Sequence, residues 1–138
     1  MGTQATPSER AADAADLLGR EQFAGSALVL LGLLHGVQGL VALTSDGVYA
    51  DVDYAYAYDL EAWGWGLLVL GVIVAGIGSG LLLDQEWARL LGILVALFSA
   101  LVSFMLVPQV PVWALLMIAL DVAVVWSLTV VIARSRPA

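Results

Sequence analysis

Two side chains inside long apolar runs could take part in proton chemistry. His35 and Asp121 each lie within such a run, far from its ends. Histidine titrates near neutral pH, and a carboxyl group at the centre of a membrane helix costs about 2.5–3.5 kcal/mol on insertion scales. The residues one helical turn either side of Asp121 are apolar and offer it no hydrogen-bond partner. Its partner must therefore come from another helix.

Residue counting places these two side chains at the same depth. His35 lies nine residues before Thr44, and Asp121 lies nine residues after Val112. At ~1.5 Å per residue both are about 13–14 Å below the same membrane surface, so we predict that they are partners. Two interpretations remain open, a polar contact that only fixes the helix register and a pair that relays a proton. Three further polar residues could support the pair: Gln38, Ser99 and Ser103.

Residue sets typical of enzymes are missing. The chain has one histidine and no cysteine, and it carries no phosphate-binding loop after a strand. We therefore predict no catalytic residue, no metal site and no cofactor. A membrane enzyme that acts on a lipid or a quinone remains an alternative.

Four apolar stretches must position the polar residues. The chain is 62% hydrophobic and 12% charged, against about 25% charged residues in soluble domains. About 20 apolar residues in a helix cross the ~30 Å hydrocarbon core. We predict an all-α, integral membrane four-helix bundle over residues 23–133, with spans at about 23–43, 63–83, 87–106 and 112–133.

The remaining segments are short. We expect residues 1–22 to form a partly disordered cytoplasmic lead-in with a helix over residues 9–18, capped by Ser8 and ended by Gly19. Residues 134–138 form a cytoplasmic tail. Between the first two spans, residues 44–62 form a short extracytoplasmic loop or a small hairpin. Asp84 is expected to cap the third span.

The arginines predict the orientation. All five basic residues flank one side of the predicted bundle: Arg10, Arg20, Arg89, Arg134 and Arg136. By the positive-inside rule, both termini and the turn between spans two and three are cytoplasmic. The predicted location is the cell membrane, with several passes.

Small residues recur at helical spacing on three spans. Such stripes let helix backbones approach closely. The predicted packing positions are Gly32, Gly36, Gly39, Gly71, Ala75, Gly78, Gly92 and Ala96. We also expect Trp126, in the inner third of span four, to pack within the bundle.

Several short motifs occur together along the spans. They are Trp63-Gly64-Trp65 with Gly71, Trp87-Ala88-Arg89, Pro111-Val112-Trp113, and Ala119-Leu120-Asp121-Val122 with Trp126. On these motifs, residues 23–129 resemble a family of small bacterial four-helix membrane proteins that carries a domain-of-unknown-function label. The resemblance implies four spans and supplies no activity.

Packing features outnumber reactive residues in this chain. The leading hypothesis is therefore a non-catalytic membrane protein that packs through its small-residue stripes, as a homo-oligomer or an accessory subunit. Its expected partners are the lipid bilayer and itself or another membrane protein, with no nucleic acid. The alternative is a small transporter or proton-conducting protein that uses His35 and Asp121.

Overall fold

Four α-helices make up the part of the chain that the structure, a computed structural model, describes: residues 4–44, 60–108 and 110–135. They are α1 (Pro7–Thr44), α2 (Leu60–Leu82), α3 (Glu86–Leu106) and α4 (Pro111–Ser135). Each is long and apolar enough to cross a membrane. The predicted all-α fold with four helices able to span a membrane is confirmed, while most of the predicted loop or hairpin over residues 44–62 lies outside the described residues.

α1 begins with a capping box. The backbone N–H of Glu9 donates to Thr6 Oγ1 at 3.3 Å, and the backbone N–H of Thr6 donates to Glu9 Oε2 at 2.6 Å. Pro7 follows as the first helical residue, where its missing N–H is not needed. The cap is therefore Thr6, and the prediction of Ser8 was wrong.

α1 then continues without a break for 38 residues, about 57 Å. The prediction that Gly19 ends a first short helix was wrong. Glycine inside a helix costs about 1 kcal/mol relative to alanine, which does not suffice to end a helix that packs on neighbours. Because α1 exceeds the ~30 Å hydrocarbon core, its first turns extend beyond the bundle.

The helices form a ring in chain order. α1 packs on α2 and α4, and α3 packs on α4 and α2. One end of the bundle, here called the loop end, holds the end of α1, the start of α2 and the connection from α3 to α4. The terminal end holds the first half of α1, the α2–α3 turn and the end of α4. Leu28, Leu31, Val74, Val124 and Leu128 fill the interior, each with no exposed surface.

Glycines bring α1 and α2 into backbone contact. Gly25, Gly32 and Gly39 of α1 face Gly78, Gly71 and Gly64 of α2. A Cβ atom on Gly32 would lie 2.6 Å from the carbonyl oxygen of Gly71, and one on Gly39 would lie 2.6 Å from that of Gly64. The glycines recur every seven residues in both helices, which keeps an antiparallel pair in register. These stripes pack within one chain.

The turn between α2 and α3 is a Schellman motif. The backbone N–H of Gln85 donates to Gly80 O and that of Asp84 to Leu81 O, both at 3.0 Å. Asp84 has φ 56°, the left-handed conformation such a helix end requires. Gln85 is the N-cap of α3 and makes no side-chain cap hydrogen bond. Asp84 therefore ends α2, and the prediction that it caps the next helix was wrong.

The outer surface of the bundle is apolar. Its large exposed side chains include Leu33 on α1, Val72 on α2, Leu101 on α3 and Val122 on α4. Trp126 is also outside, with 67% of its surface exposed, so the prediction that it packs within the bundle was wrong. The buried Asp121 marks the inner side of α4, and Trp126, five residues on, lies about 140° around the helix from it, on the outer side.

Candidate functional site

A chain of three polar side chains crosses the interior. Ser99 Oγ donates a hydrogen bond to Asp121 Oδ2 at 2.9 Å, and His35 Nε2 lies 3.5 Å from the same hydroxyl oxygen. His35 is 1% exposed, and Ser99 and Asp121 have no exposed surface. The structure thus places His35 and Asp121 in one network and puts Ser99 between them.

Each of the three residues comes from a different helix. On α3, Gly92, Ala96, Ser99 and Ser103 form the buried face, so Ser99 points into the bundle. Its small side chain fits between α1 and α4, and its hydroxyl reaches both neighbours. Gln38 is half-buried one turn from His35, and Ser103 is buried one turn from Ser99. The five predicted polar residues therefore lie in the same half of the interior.

One hydrogen bond shows that Nδ1 of the His35 ring carries a proton. His35 Nδ1 lies 2.9 Å from the backbone carbonyl oxygen of Leu31. A carbonyl oxygen only accepts hydrogen bonds, so Nδ1 carries a proton. Nε2 is then the ring atom whose protonation can change, and it faces Ser99.

The serine hydroxyl has one proton for two neighbours. If His35 Nε2 is protonated, it donates to Ser99, and Ser99 donates to an ionised Asp121. If Asp121 is protonated instead, it donates to Ser99, and Ser99 donates to neutral His35. Both arrangements satisfy the two contacts of the Ser99 hydroxyl and contain the same number of protons. One proton can therefore occupy either end of the chain, with Ser99 connecting the two positions.

The order of the three residues differs from that of a Ser-His-Asp catalytic triad. In a Ser-His-Asp triad, histidine stands between the serine and the acid and takes the serine proton. Here serine stands in the middle. Among the described residues, no group of three His, Cys, Asp or Glu side chains could hold a metal ion. What this arrangement can do is bind and pass on a proton.

Three buried polar atoms without a hydrogen-bond partner lie in or beside the chain of polar side chains, on the side of the loop end. Asp121 Oδ1, Gln38 Oε1 and Trp113 Nε1 are buried and have no hydrogen-bond partner in the described part of the protein. Buried polar atoms without a protein partner are commonly hydrated. Residue counting puts Trp113 and Gln38 between Asp121 and the loop end, so the interior is partly polar on that side.

Toward the terminal end the interior is apolar. Leu28, Leu31, Val124 and Leu128 form an apolar plug below the polar chain. Beyond the plug, Glu21 accepts two hydrogen bonds from Arg89, from Nε at 2.7 Å and from Nη2 at 3.0 Å. Arg89 also bonds Asp84 at 2.9 Å.

The pairing of Glu21 with Arg89 was not predicted from the sequence. Glu21 is 5% exposed, which is rare for a charged residue unless it is paired. The signal available was position, because both residues lie at the same end of the predicted spans. The pair links α1 to α3 across the ring.

Four apolar helices around a buried polar chain define a small multi-pass membrane protein. The chain belongs to the family described as a domain of unknown function, DUF7144, whose model matches residues 21–133. The match covers the bundle and confirms the resemblance found in the sequence. No curated protein matches the chain. No solved structure matches it either.

Proposed function

We propose that this protein is a small proton-conducting or proton-coupled transport protein of the cytoplasmic membrane. The observation that supports this is the position of Ser99 between His35 and Asp121, since its single hydroxyl can pass a proton from one group to the other. A centre of this kind, about halfway across the bundle, is a place where a proton is taken up and released.

One feature favours proton exchange over a contact that only fixes the helix register. Asp121 Oδ1 is buried and makes no hydrogen bond to a described residue, so the carboxyl keeps an acceptor site for a water that could exchange a proton. The apolar plug closes the terminal side, so we place proton entry at the loop end and assign opening of the plug to the transport step.

Proton flux into liposomes tests the proposal. The purified protein is reconstituted with a pH-sensitive dye inside, and a membrane potential or pH gradient is applied. The wild type should acidify the lumen, and Asp121→Asn and His35→Gln should each lose most of this flux, since neither can complete the proton transfer. Asp13→Asn, which removes an exposed carboxylate of α1 at the terminal end, is the control. No wild-type flux under either gradient, or full flux in Asp121→Asn, would reject the proposal.

The outer face of α3 favours a second candidate, a homo-oligomer or accessory subunit. Leu90, Leu94, Leu97 and Leu101 lie in one stripe at alternating steps of four and three, and each is 54–62% exposed. Leucines at this spacing interlock when two helices pack side by side. α3 is also the helix with the smallest buried share.

Cross-linking in membranes tests this candidate. The chain has no cysteine, so a single Leu97→Cys can report contact between copies by forming a disulfide. Val69→Cys on α2 is a matched control, with 57% exposure against 54% and the same residue count from the loop end. We expect a dimer from Leu97→Cys alone. Equal dimer yields from the two variants would show random encounter.

A further inference from the structure

A cleft lies between α1 and α4 at the terminal end, apart from the polar chain. It holds about 530 Å³ and is lined by Ala15, Asp16, Gly19, Arg20, Phe23 and Ser127. We propose that this cleft binds one anionic phospholipid, with the phosphate against Arg20 and Arg134 and an acyl chain along Phe23 and Trp126.

The charges at the cleft leave room for an anion. Asp16 Oδ2 accepts hydrogen bonds from Arg20 Nε at 3.0 Å and from Arg134 Nη1 at 3.2 Å. One carboxylate thus faces two guanidinium groups, which leaves one positive charge. The terminal amino groups of Arg20 make no hydrogen bond to any residue that the structure describes, and they can donate to a phosphate. Glu21, the next residue, turns away to Arg89.

Two aromatic side chains suit an acyl chain. Phe23 lines the cleft and is 50% exposed, and Trp126, next in sequence to the lining residue Ser127, is 67% exposed, so both present ring surface to the outside. The guanidinium of Arg20 lies over the Trp126 ring, 6.0 Å from its centroid. A cationic group above an aromatic surface matches a phospholipid, which joins a phosphate to a hydrocarbon chain.

The depth of the cleft favours a lipid over a soluble phosphate. Ser127 lies 16 residues after Pro111, about 24 Å from the loop end of α4. That is near the far edge of a ~30 Å hydrocarbon core, and Arg20 and Arg134 lie beyond it at the level of the head groups. Lipid head groups are the most abundant phosphates at this level.

Gly19 provides the space. A Cβ atom built on Gly19 would meet nothing within 4 Å, so helix packing does not require glycine here. Glycine inside a helix lowers its stability, so its presence in α1 calls for another reason. The absence of a side chain keeps the cleft open. This explains why a glycine stands at position 19, which the sequence suggested as a helix end.

Binding of defined lipids tests the proposal. The full-length protein in detergent is titrated with phosphatidylglycerol or phosphatidylcholine of identical chains, and bound lipid is counted by native mass spectrometry. We expect the wild type to bind one phosphatidylglycerol about tenfold more tightly than phosphatidylcholine. The two lipids carry the same phosphate, but choline adds a cation that Arg20 and Arg134 repel. Equal affinities for the two lipids would overturn the proposal.

Two kinds of variant locate the site. Gly19→Leu places a side chain at the cleft, where its Cβ atom meets no neighbour, and should abolish the preference for phosphatidylglycerol. The control Gly76→Leu, on the open surface of α2, should keep it. Arg20→Gln with Arg134→Gln should also abolish it, whereas Arg10→Gln, on the exposed first turn of α1, should not.

A preference that survives in Gly19→Leu would contradict the proposed position. Inorganic phosphate and glycerol phosphate are then added as competitors to the wild type. Displacement of the lipid by either at equal concentration would make the occupant a soluble phosphate and reject the lipid. These readouts need no proton flux, so they stand apart from the proposed transport function.

Discussion

Ser99 is the residue on which the polar chain depends. Its hydroxyl is the donor to Asp121 and the neighbour of His35. Removing one partner of a buried hydrogen bond costs about 1–3 kcal/mol, because the other partner stays dehydrated. We therefore expect Ser99→Ala to lower the unfolding free energy in detergent by this amount. Ser103→Ala, on the same buried face one turn away, should have a smaller effect, and an equal loss would show that the hydroxyl of Ser99 is not special.

A double-mutant cycle measures the coupling of His35 and Asp121. His35→Leu and Asp121→Leu should each destabilise the protein, and the double variant should recover part of the loss. Hydrogen bonds in membrane proteins average ~0.6 kcal/mol in such cycles and reach ~1.7. Because Ser99 lies between the two groups, the same cycle with Ser99→Ala should show no coupling. Coupling that persists without the hydroxyl would mean that the two side chains interact directly.

Sequence reasoning reached part of this site. Counting residues from the ends of two spans placed His35 and Asp121 at one depth, because helical rise is constant. The middle position of Ser99 did not follow, since it depends on how α3 is rotated against its neighbours. Trp126 was misplaced although Asp121 marks the inner side of α4, because the spacing of five residues, about 140° around the helix, was not used.

At the scale of elements, the contact between α1 and α2 is the tightest feature. A Cβ atom on Gly71 would lie 2.6 Å from the carbonyl oxygen of Gly32 and 2.7 Å from the backbone nitrogen of Gly36. Gly71→Leu must force the helices apart, and overpacking of this kind costs about 1–3 kcal/mol or more. Gly76→Leu on the same helix points into open space and should be neutral or slightly stabilising.

Thermal unfolding in one detergent compares these two variants. A lower midpoint for Gly71→Leu alone is the expected result. Equal midpoints would mean that α1 and α2 do not touch along their glycines.

The helices themselves were largely predictable. Runs of apolar residues set their lengths, and the stripe of glycines indicated a close contact. The pairing of the α1 stripe with the α2 stripe was not predictable, because a stripe of small residues shows that a helix packs closely but not which helix it packs against. Asp84 was misread since an acidic residue suits both a helix start and a left-handed helix end.

On the scale of the whole molecule, orientation is the main prediction. The arginines that the structure describes, Arg10, Arg20, Arg89 and Arg134, all lie at the terminal end. This end should face the cytoplasm by the positive-inside rule. Single cysteines test it, because an impermeant thiol reagent should label Tyr54→Cys and Gln109→Cys on intact cells. Ser8→Cys and Gln85→Cys should react only after permeabilisation, and early labelling at Gln85→Cys would reverse the assignment.

The glycine contact also determines how the bundle can move. Since the backbones of α1 and α2 touch, we expect these two helices to move as one body. Rearrangement is then left to the boundary between this pair and the α3–α4 pair. The short bond from Ser99 to Asp121 lies inside the second body, whereas the 3.5 Å contact to His35 crosses the boundary. The bonds from Arg89 to Glu21 cross it too, near the other surface. A rocking of one pair against the other would therefore make and break the contact between His35 and Ser99 and the ion pair of Arg89 with Glu21 together.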